Sequence, residues 1–280
     1  MSYHELSLVL FTVLAQTAVG AYLIMSIANL VTNSRVDVKG RITRNMFFVW
    51  VVMGLGFVAS STHLGSPMRA MNALNQVGTS WLSNEILTGS MFFAFGGLYW
   101  LLEVLDKGTE GVRKGLKIAG MVAGVAFMYS MVNVYLIDTV PTWNTPYTGW
   151  SFLLTMVVAG AIFASTLMHS AQFDDAKYTR GIQGLVVVAI IAMIVVTMSQ
   201  MVALANIQSS VVAARDLVPN MAMLQGSRIV LLVAGAAIAL FGINRIKGSI
   251  ALPVVGLALV LVAELLGRNI FFNLHMTVGM

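Results

Sequence analysis

The chain has no cysteine among its 280 residues, and only 10% of its residues are charged. The missing thiols exclude disulfides, thiolate zinc sites and an iron–sulfur cluster held by this chain. This fraction of charged residues is too small to cover the surface of a soluble domain of this length. With 58% hydrophobic residues and a mean hydropathy of +0.87, the composition indicates a membrane protein.

Apolar stretches long enough to cross a bilayer recur along the whole chain. They predict an all-α integral membrane protein with a single polytopic domain over residues 1–280 and eight transmembrane helices, called spans 1 to 8. The first stretch follows no Lys or Arg and is too long for a signal-peptide core, so we expect it to be retained. The predicted spans cover residues 6–30, 46–63, 86–105, 118–137, 150–167, 182–205, 229–243 and 250–270.

The basic residues predict the orientation of the spans. The pI near 9.6 does not indicate nucleic-acid binding, because the basic residues lie beside the span ends. The positive-inside rule places the loops richest in Lys and Arg in the cytoplasm and both termini in the periplasm. Twelve of the sixteen Lys and Arg residues follow odd-numbered spans: Arg35, Lys39, Arg41, Arg44, Lys107, Arg113, Lys114, Lys117, Lys177, Arg180, Arg245 and Lys247.

Ionisable residues within or beside the spans gather at the outer side. His63 ends span 2 and Glu85 precedes span 3, while Glu264 and Arg268 are spaced to share one face of span 8 and to pair. His275 rejoins that face if the helix continues. The segment between His63 and Glu85 is predicted to lie along the interface. Ser66, Arg69 and Arg228 complete the candidate site.

Each of these residues also has a purely structural interpretation. His63 could be solvated by lipid headgroups, and Glu85 could interact favourably with the dipole at a helix start. Glu264 and Arg268 could form a structural ion pair, and Arg228 could extend its side chain towards water. All of these residues are predicted to lie at a similar depth, near the outer side of the membrane, and this shared depth favours a functional site.

An imidazole and a carboxyl group among apolar walls suit the oxidation of a lipid-soluble quinol. The imidazole is a natural base for one hydroxyl, and a partly desolvated carboxylate can accept the second proton. Of the four histidines, His169 lies on the inner side and the other three lie at helix ends, so we expect no haem. Electrons must then leave to a cofactor in a partner protein.

A faint internal similarity predicts a parallel repeat of residues 1–140 and 141–280. Aligning WLSNEILTGS with LQGSRIVLLV matches Glu85 with Arg228. The repeat predicts two four-helix bundles side by side. Glycine and alanine in GLGFVAS, GMVAGVAF, VAGAIFAS and VAGAAIAL predict close helix contacts.

Several strings resemble the membrane anchor subunit of anaerobic dimethyl sulfoxide reductase along nearly the whole chain. These are FTVLAQTAVGAYL, MGLGFVASSTHLGSPMRAMNALNQVG, LSNEI, IDTVPTW, and AELLGR followed by LHMTVGM. The resemblance implies a multi-pass protein of the bacterial inner membrane that oxidises menaquinol. It implies an iron–sulfur partner and a molybdopterin catalytic subunit on the periplasmic side. It also implies menaquinol binding by His63 and Glu85.

Two other functions are compatible with the residues. One is a secondary transporter that uses Glu264 and Arg268 as an intramembrane site. The other is a structural anchor whose partners bind quinol elsewhere. The terminal acceptor and the type of quinone stay open.

Overall fold

The regular structure is helical. The computed structural model describes residues 3–32, 35–62, 67–208, 212–245 and 249–277, with the backbone alone for residues 3–5 and 67–71. Within these residues no strand occurs, and two 3-10 helices cover Pro67–Gln76 and Ala214–Asp216. The same residues form nine α-helices: α1 (Tyr3–Val31), α2 (Val36–Asn45), α3 (Phe47–Thr62), α4 (Trp81–Val104), α5 (Glu110–Tyr135), α6 (Pro146–Ser170), α7 (Ala176–Leu204), α8 (Met221–Arg245) and α9 (Ala251–Asn273).

The prediction of eight spans is confirmed, because α2 and α3 together form one span over Val36–Thr62. Several predicted starts lie too far along the chain: spans 2, 4, 6 and 7 begin at Val36, Glu110, Ala176 and Met221. Basic residues that we assigned to loops lie in α2 and in the first turns of α5, where their charged ends can reach the interface. The seventh span begins at Met221 rather than at residue 229, because its polar residues Gln225 and Arg228 are buried against neighbouring helices.

Two groups of packed helices, α1 to α5 and α6 to α9, meet at α1 and α6, and α9 also packs on α1. In the first group α1 packs on α3 and α5, and α4 packs on α5; in the second, α6 packs on α7 and α8 packs on α9. Helices α1 and α6 pack closely against each other. About three quarters of the apolar stretch is buried in these two helices, 72% in α1 and 78% in α6, against at most 39% in the other spans. They therefore form the centre of the bundle.

Glycines allow the closest helix contacts in three of the four predicted strings; in GLGFVAS, Gly54 has open space around it. A Cβ atom on Gly160 of α6 would lie 2.6 Å from the Cα atom of Gly20 in α1. Backbone atoms meet here, so no change of rotamer could make room for a side chain. Similar contacts join Gly96 to Gly120 and Gly235 to Gly256.

The candidate residues lie near one end of the bundle, here called the outer end. At this end α1, α4, α6 and α8 begin and α3, α5, α7 and α9 end. The opposite end is called the inner end. Which of the two faces the periplasm stays a prediction from the basic residues.

Candidate functional site

Glu85 is a buried carboxyl group near the outer end. It is the fifth residue of α4, and 4% of its surface is exposed. Its Oε1 atom has no hydrogen-bond partner in the described part of the chain. The first turn of α4 contains no acidic residue, so Glu85 does not occupy the terminal position that a helix-dipole role requires. A desolvated, unsatisfied carboxyl group is costly to bury and points to a functional role.

The segment preceding α4 lies against this part of the helix. The 3-10 helix Pro67–Gln76 packs on α4, and the backbone N–H of Gly78 donates a hydrogen bond to Oδ1 of Asn84, at 2.7 Å. Asn84 adjoins Glu85 in sequence, so this hydrogen bond holds the end of the loop beside the carboxyl group.

Two candidates, His63 and Ser66, lie outside the described residues. The backbone of Arg69 lies in the 3-10 helix, and its side chain is outside the described part of the structure. Helix α3 ends with Thr62 at the outer end, the end at which Glu85 lies. The meeting of His63 with Glu85 stays a prediction.

Tyr135 lies at the outer end, as Glu85 does, and the sequence interpretation missed it. It ends α5, which packs on α4, and it is 6% exposed. Its ring packs on Phe152, Phe271 and Trp143 with centroids 5.4, 5.6 and 5.8 Å away. These contacts hold Tyr135 against α6 and α9 at the outer end. Its position at the boundary of an apolar run resembles that of an ordinary interfacial tyrosine, so the sequence carried no distinctive signal.

The buried ion pair of the outer half joins Arg228 to Glu264. Nη2 of Arg228 lies 3.2 Å from Oε2 of Glu264, and the side chains are 7% and 1% exposed. Thr155 of α6 donates to the same oxygen at 2.8 Å. The predicted pairing of Glu264 with Arg268 is wrong in this respect, because the α8–α9 contact brings Arg228 closer. Gly267 creates the space for Arg228: a Cβ atom at this position would lie 2.5 Å from Cζ of Arg228.

Arg228 makes most of its contacts away from Glu85. Its Nη1 atom lies 3.5 Å from the hydroxyl of Thr197 and 3.4 Å from Oε1 of Gln225. Its Nη2 atom also lies 3.2 Å from the sulfur of Met193. The side chain thus joins α7, α8 and α9 instead of extending to water.

Arg268 is buried, at 3% exposure, without a carboxylate in hydrogen-bond contact. Its Nη2 atom donates to Oε1 of Gln16 in α1 at 2.8 Å, and its Cζ atom lies 3.5 Å from the centroid of the Phe152 ring. Its Nε and Nη1 atoms have no hydrogen-bond partner in the described residues. Gln16 was not among the candidates, because a neutral amide within a span is a weaker sign of function than a charged group.

The two other histidines of interest, His275 and His169, lie at opposite ends of the bundle. Helix α9 ends at Asn273, so the condition for His275 to share the face of Glu264 and Arg268 is not met; this residue lies beyond the helix with its ring centroid 4.8 Å from that of Trp143. His169 lies at the inner end, with Nε2 3.2 Å from the Ser249 carbonyl oxygen. Across the described ranges, no group of three or more His, Cys, Asp or Glu residues could hold a metal ion.

Comparison with known proteins gives a family for the whole chain. The family described as DMSO reductase anchor subunit (DmsC) matches residues 1–274. The chain is 45% identical over 281 residues to the anaerobic dimethyl sulfoxide reductase protein YnfH of Escherichia coli K12, covering 99% of this chain and 97% of the relative. It is 43% identical over 282 residues to the C subunit of anaerobic dimethyl sulfoxide reductase from the same organism, with the same coverage.

A solved structure shares the fold. The bd oxidase of Geobacillus thermodenitrificans superposes with a TM-score of 0.62 at 14% identity, over 96% of this chain and 85% of the other. At this identity the likeness concerns the fold alone. From the family match and the two relatives, the chain belongs to the family of DMSO reductase anchor subunits, multi-pass membrane proteins of oxidoreductase complexes with catalytic and electron-transfer subunits.

Proposed function

We propose that this anchor subunit oxidises menaquinol at the outer end of the bundle and passes the electrons to an iron–sulfur partner subunit. The observation that carries the proposal is Glu85, a buried carboxyl group with an unpartnered oxygen in the described chain. The same end holds Thr62, directly before the segment that carries His63 and Ser66. A base and an acid at one apolar end match the two hydroxyls of a quinol.

The chemistry needs two proton acceptors and one electron acceptor. Oxidation of menaquinol to menaquinone breaks two O–H bonds and releases two protons and two electrons. His63 accepts the proton of one hydroxyl and Glu85 that of the other, and both pass them to water at the outer end. Ser66 and Arg69 lie on the connecting segment and bind the quinol head. The electrons leave to an iron–sulfur cluster of the partner.

The partners and the location follow from the family and the predicted orientation. We place the outer end in the periplasm, where the iron–sulfur subunit and a molybdopterin catalytic subunit dock, and the chain in the bacterial inner membrane. Protons and electrons then leave on one side, so no net charge crosses the bilayer. We treat residues 1–280 as one membrane domain, with residues 1–140 and 141–280 as a parallel repeat.

A transporter that uses Glu264 and Arg268 has less support. Glu264 lies about 20 Å from the inner end of α9, and the intervening residues 251–263 carry no polar side chain. On α6, residues 156–164, inward of Thr155, are apolar as well. A transport path needs polar groups on both halves of the membrane. The buried charges instead connect only towards the outer end.

The experiment compares Glu85→Gln and His63→Gln in the assembled complex. We expect quinol-dependent reduction to fall by about 100-fold, because a positioned acid–base group contributes that much or more. Reduction with a soluble viologen dye bypasses this subunit and should persist. Glu103→Gln is the matched control, because Glu103 lies on the same helix at the inner end and pairs with Arg113 at 3.6 Å; it should retain quinol activity.

Two results would contradict the proposal. Unchanged quinol activity in both variants would remove His63 and Glu85 from the site. A photoreactive quinone that labels only the partner subunits, and not the segment around residue 63, would favour a purely structural anchor.

A further inference from the structure

The buried charges of the α6–α9 half do not balance. The guanidinium groups of Arg228 and Arg268 lie with a single carboxylate, that of Glu264, and each residue is at most 6% exposed. Glu264 forms its ion pair with Arg228. Arg268 bonds only the neutral amide of Gln16 among the described residues. The cluster therefore carries one excess positive charge in a setting of low dielectric constant, where a lone charge is costly.

Aromatic rings pack between the excess charge and Tyr135, at the outer end of α5. The Cζ atom of Arg268 lies 3.5 Å from the centroid of Phe152 and 5.7 Å from that of Phe271. The same two rings pack on Tyr135, with centroids 5.4 and 5.6 Å away. Tyr135 ends α5, which packs antiparallel on α4 with Gly89 against the ring of Phe127 and Trp81 against that of Tyr129, so it lies at the outer end beside the first turns of α4. Packed aromatic side chains thus lead from the cation to the end of the bundle that holds Glu85.

We propose that Arg268 is an electrostatic positioning residue that stabilises the negative charge formed at the quinol site when the first hydroxyl loses its proton. The proposal rests on the proposed function. Menaquinol is neutral when it binds, whereas the transition state of deprotonation carries partial negative charge on the oxygen. A fixed cation therefore favours the transition state over the bound quinol and acts on kcat more than on KM.

The size of the effect is set by Coulomb's law. At an effective dielectric constant of about 20, a unit charge changes the rate of a step that creates one full charge by about tenfold when the two charges are on the order of 12 Å apart. This is smaller than the loss expected for a group that itself takes the proton. Arg268 is thus distinguished from His63 and Glu85 by the magnitude of its effect as well as by the parameter affected.

The charged groups around Arg268 allow a test based on the direction in which each substitution changes the net charge of the cluster. Glu264 lies on its own helix, Arg228 comes from α8, Gln16 from α1, and Tyr135 from α5. Removing the charge of Arg268 lowers the net positive charge of the cluster, whereas removing that of Glu264 raises it. If the cluster were only a structural clamp, both changes would impair quinol oxidation in the same direction.

The experiment uses the whole complex with Arg268→Gln, Arg268→Lys and Glu264→Gln, and measures steady-state kcat and KM with a water-soluble menaquinol analogue. We expect R268Q to lower kcat about tenfold with KM within about twofold of the parent value. R268K keeps the charge and should restore most of kcat. E264Q should show a kcat per assembled complex no lower than the parent value. Viologen-linked activity normalises each preparation.

Each outcome bears on the inference. Equal losses of kcat in R268Q and E264Q, or a loss in R268K as large as in R268Q, would overturn it in favour of a clamp. If R268Q does not assemble, Arg228→Gln removes the other cation and must lower kcat. Parent-like kcat in R268Q with a strong loss in E85Q refutes only this inference, whereas parent-like kcat in E85Q refutes the proposed function.

Discussion

Replacing one partner of the Arg228–Glu264 ion pair should destabilise the protein far more than replacing both. The side chains are 7% and 1% exposed and lie 3.2 Å apart. Arg228→Met leaves the Glu264 carboxylate hydrogen-bonded only to Thr155 among the described residues, and Glu264→Met leaves two buried guanidinium groups, those of Arg228 and Arg268, without an anion. A stranded charge of this kind costs about 3–5 kcal/mol. The double variant R228M/E264M removes both charges and fills similar volume with apolar atoms, so its stability should lie near that of the parent.

The assay is the apparent Tm of the purified complex at a single scan rate, because unfolding of such a complex is treated as a rate rather than an equilibrium. For a chain of this size about 1 kcal/mol corresponds to about 2–4 °C, so each single variant should lose at least about 6 °C. The control pair is Arg113 and Glu103, which lie 3.6 Å apart with side chains 21% and 36% exposed. Its variants should shift the Tm little and additively. Additive losses for R228M and E264M would refute the reasoning.

Two glycine substitutions test the helix contacts. In Gly20→Ala the new Cβ atom would lie 3.0 Å from the Cα atom of Gly160, a backbone atom. We expect this variant to lose about 1–3 kcal/mol of stability, seen as a lower apparent Tm. The control is Gly184→Ala, whose new Cβ atom lies in open space and should leave the Tm unchanged. Equal Tm values for the two variants would be inconsistent with a tight α1–α6 contact. Gly267→Ala should displace Arg228, whose Cζ atom would lie 2.5 Å from the new Cβ atom, and should lower the Tm. Added to R228M, the same substitution should cause no further loss of Tm. A further loss would contradict the role of Gly267 in making space for Arg228.

Hydropathy predicted the spans well, because an apolar run inside a bilayer must satisfy its backbone hydrogen bonds within a helix. It predicted the polar ends of the spans less well. The eighth span was located nearly to its limits, whereas the seventh was predicted to begin at residue 229, eight residues after Met221, where α8 begins. Its polar residues Gln225 and Arg228, which follow the first turn, are buried against other helices, and a hydropathy average does not register this burial. Burial by neighbours is a property of the packed bundle.

The candidate site was predicted unevenly for a similar reason. Glu85 stood out because a carboxyl group beside a span is costly, and the structure places it in the buried interior. The partner of Glu264 was assigned from spacing on one helix as Arg268, yet Arg228 from α8 forms the ion pair. Gln16, Tyr135 and Thr155 carried no charge to attract attention. Contacts between helices decide such pairs, and spacing within one helix cannot.

The most direct test of the account is the membrane potential during quinol turnover in proteoliposomes that contain the whole complex. Because protons and electrons are proposed to leave the quinol at the same outer end, turnover with dimethyl sulfoxide should generate no potential detectable by a voltage-sensitive dye. A potential that builds up only during turnover and collapses on addition of an ionophore would contradict the account, since charge would then cross the bilayer through or beside this bundle.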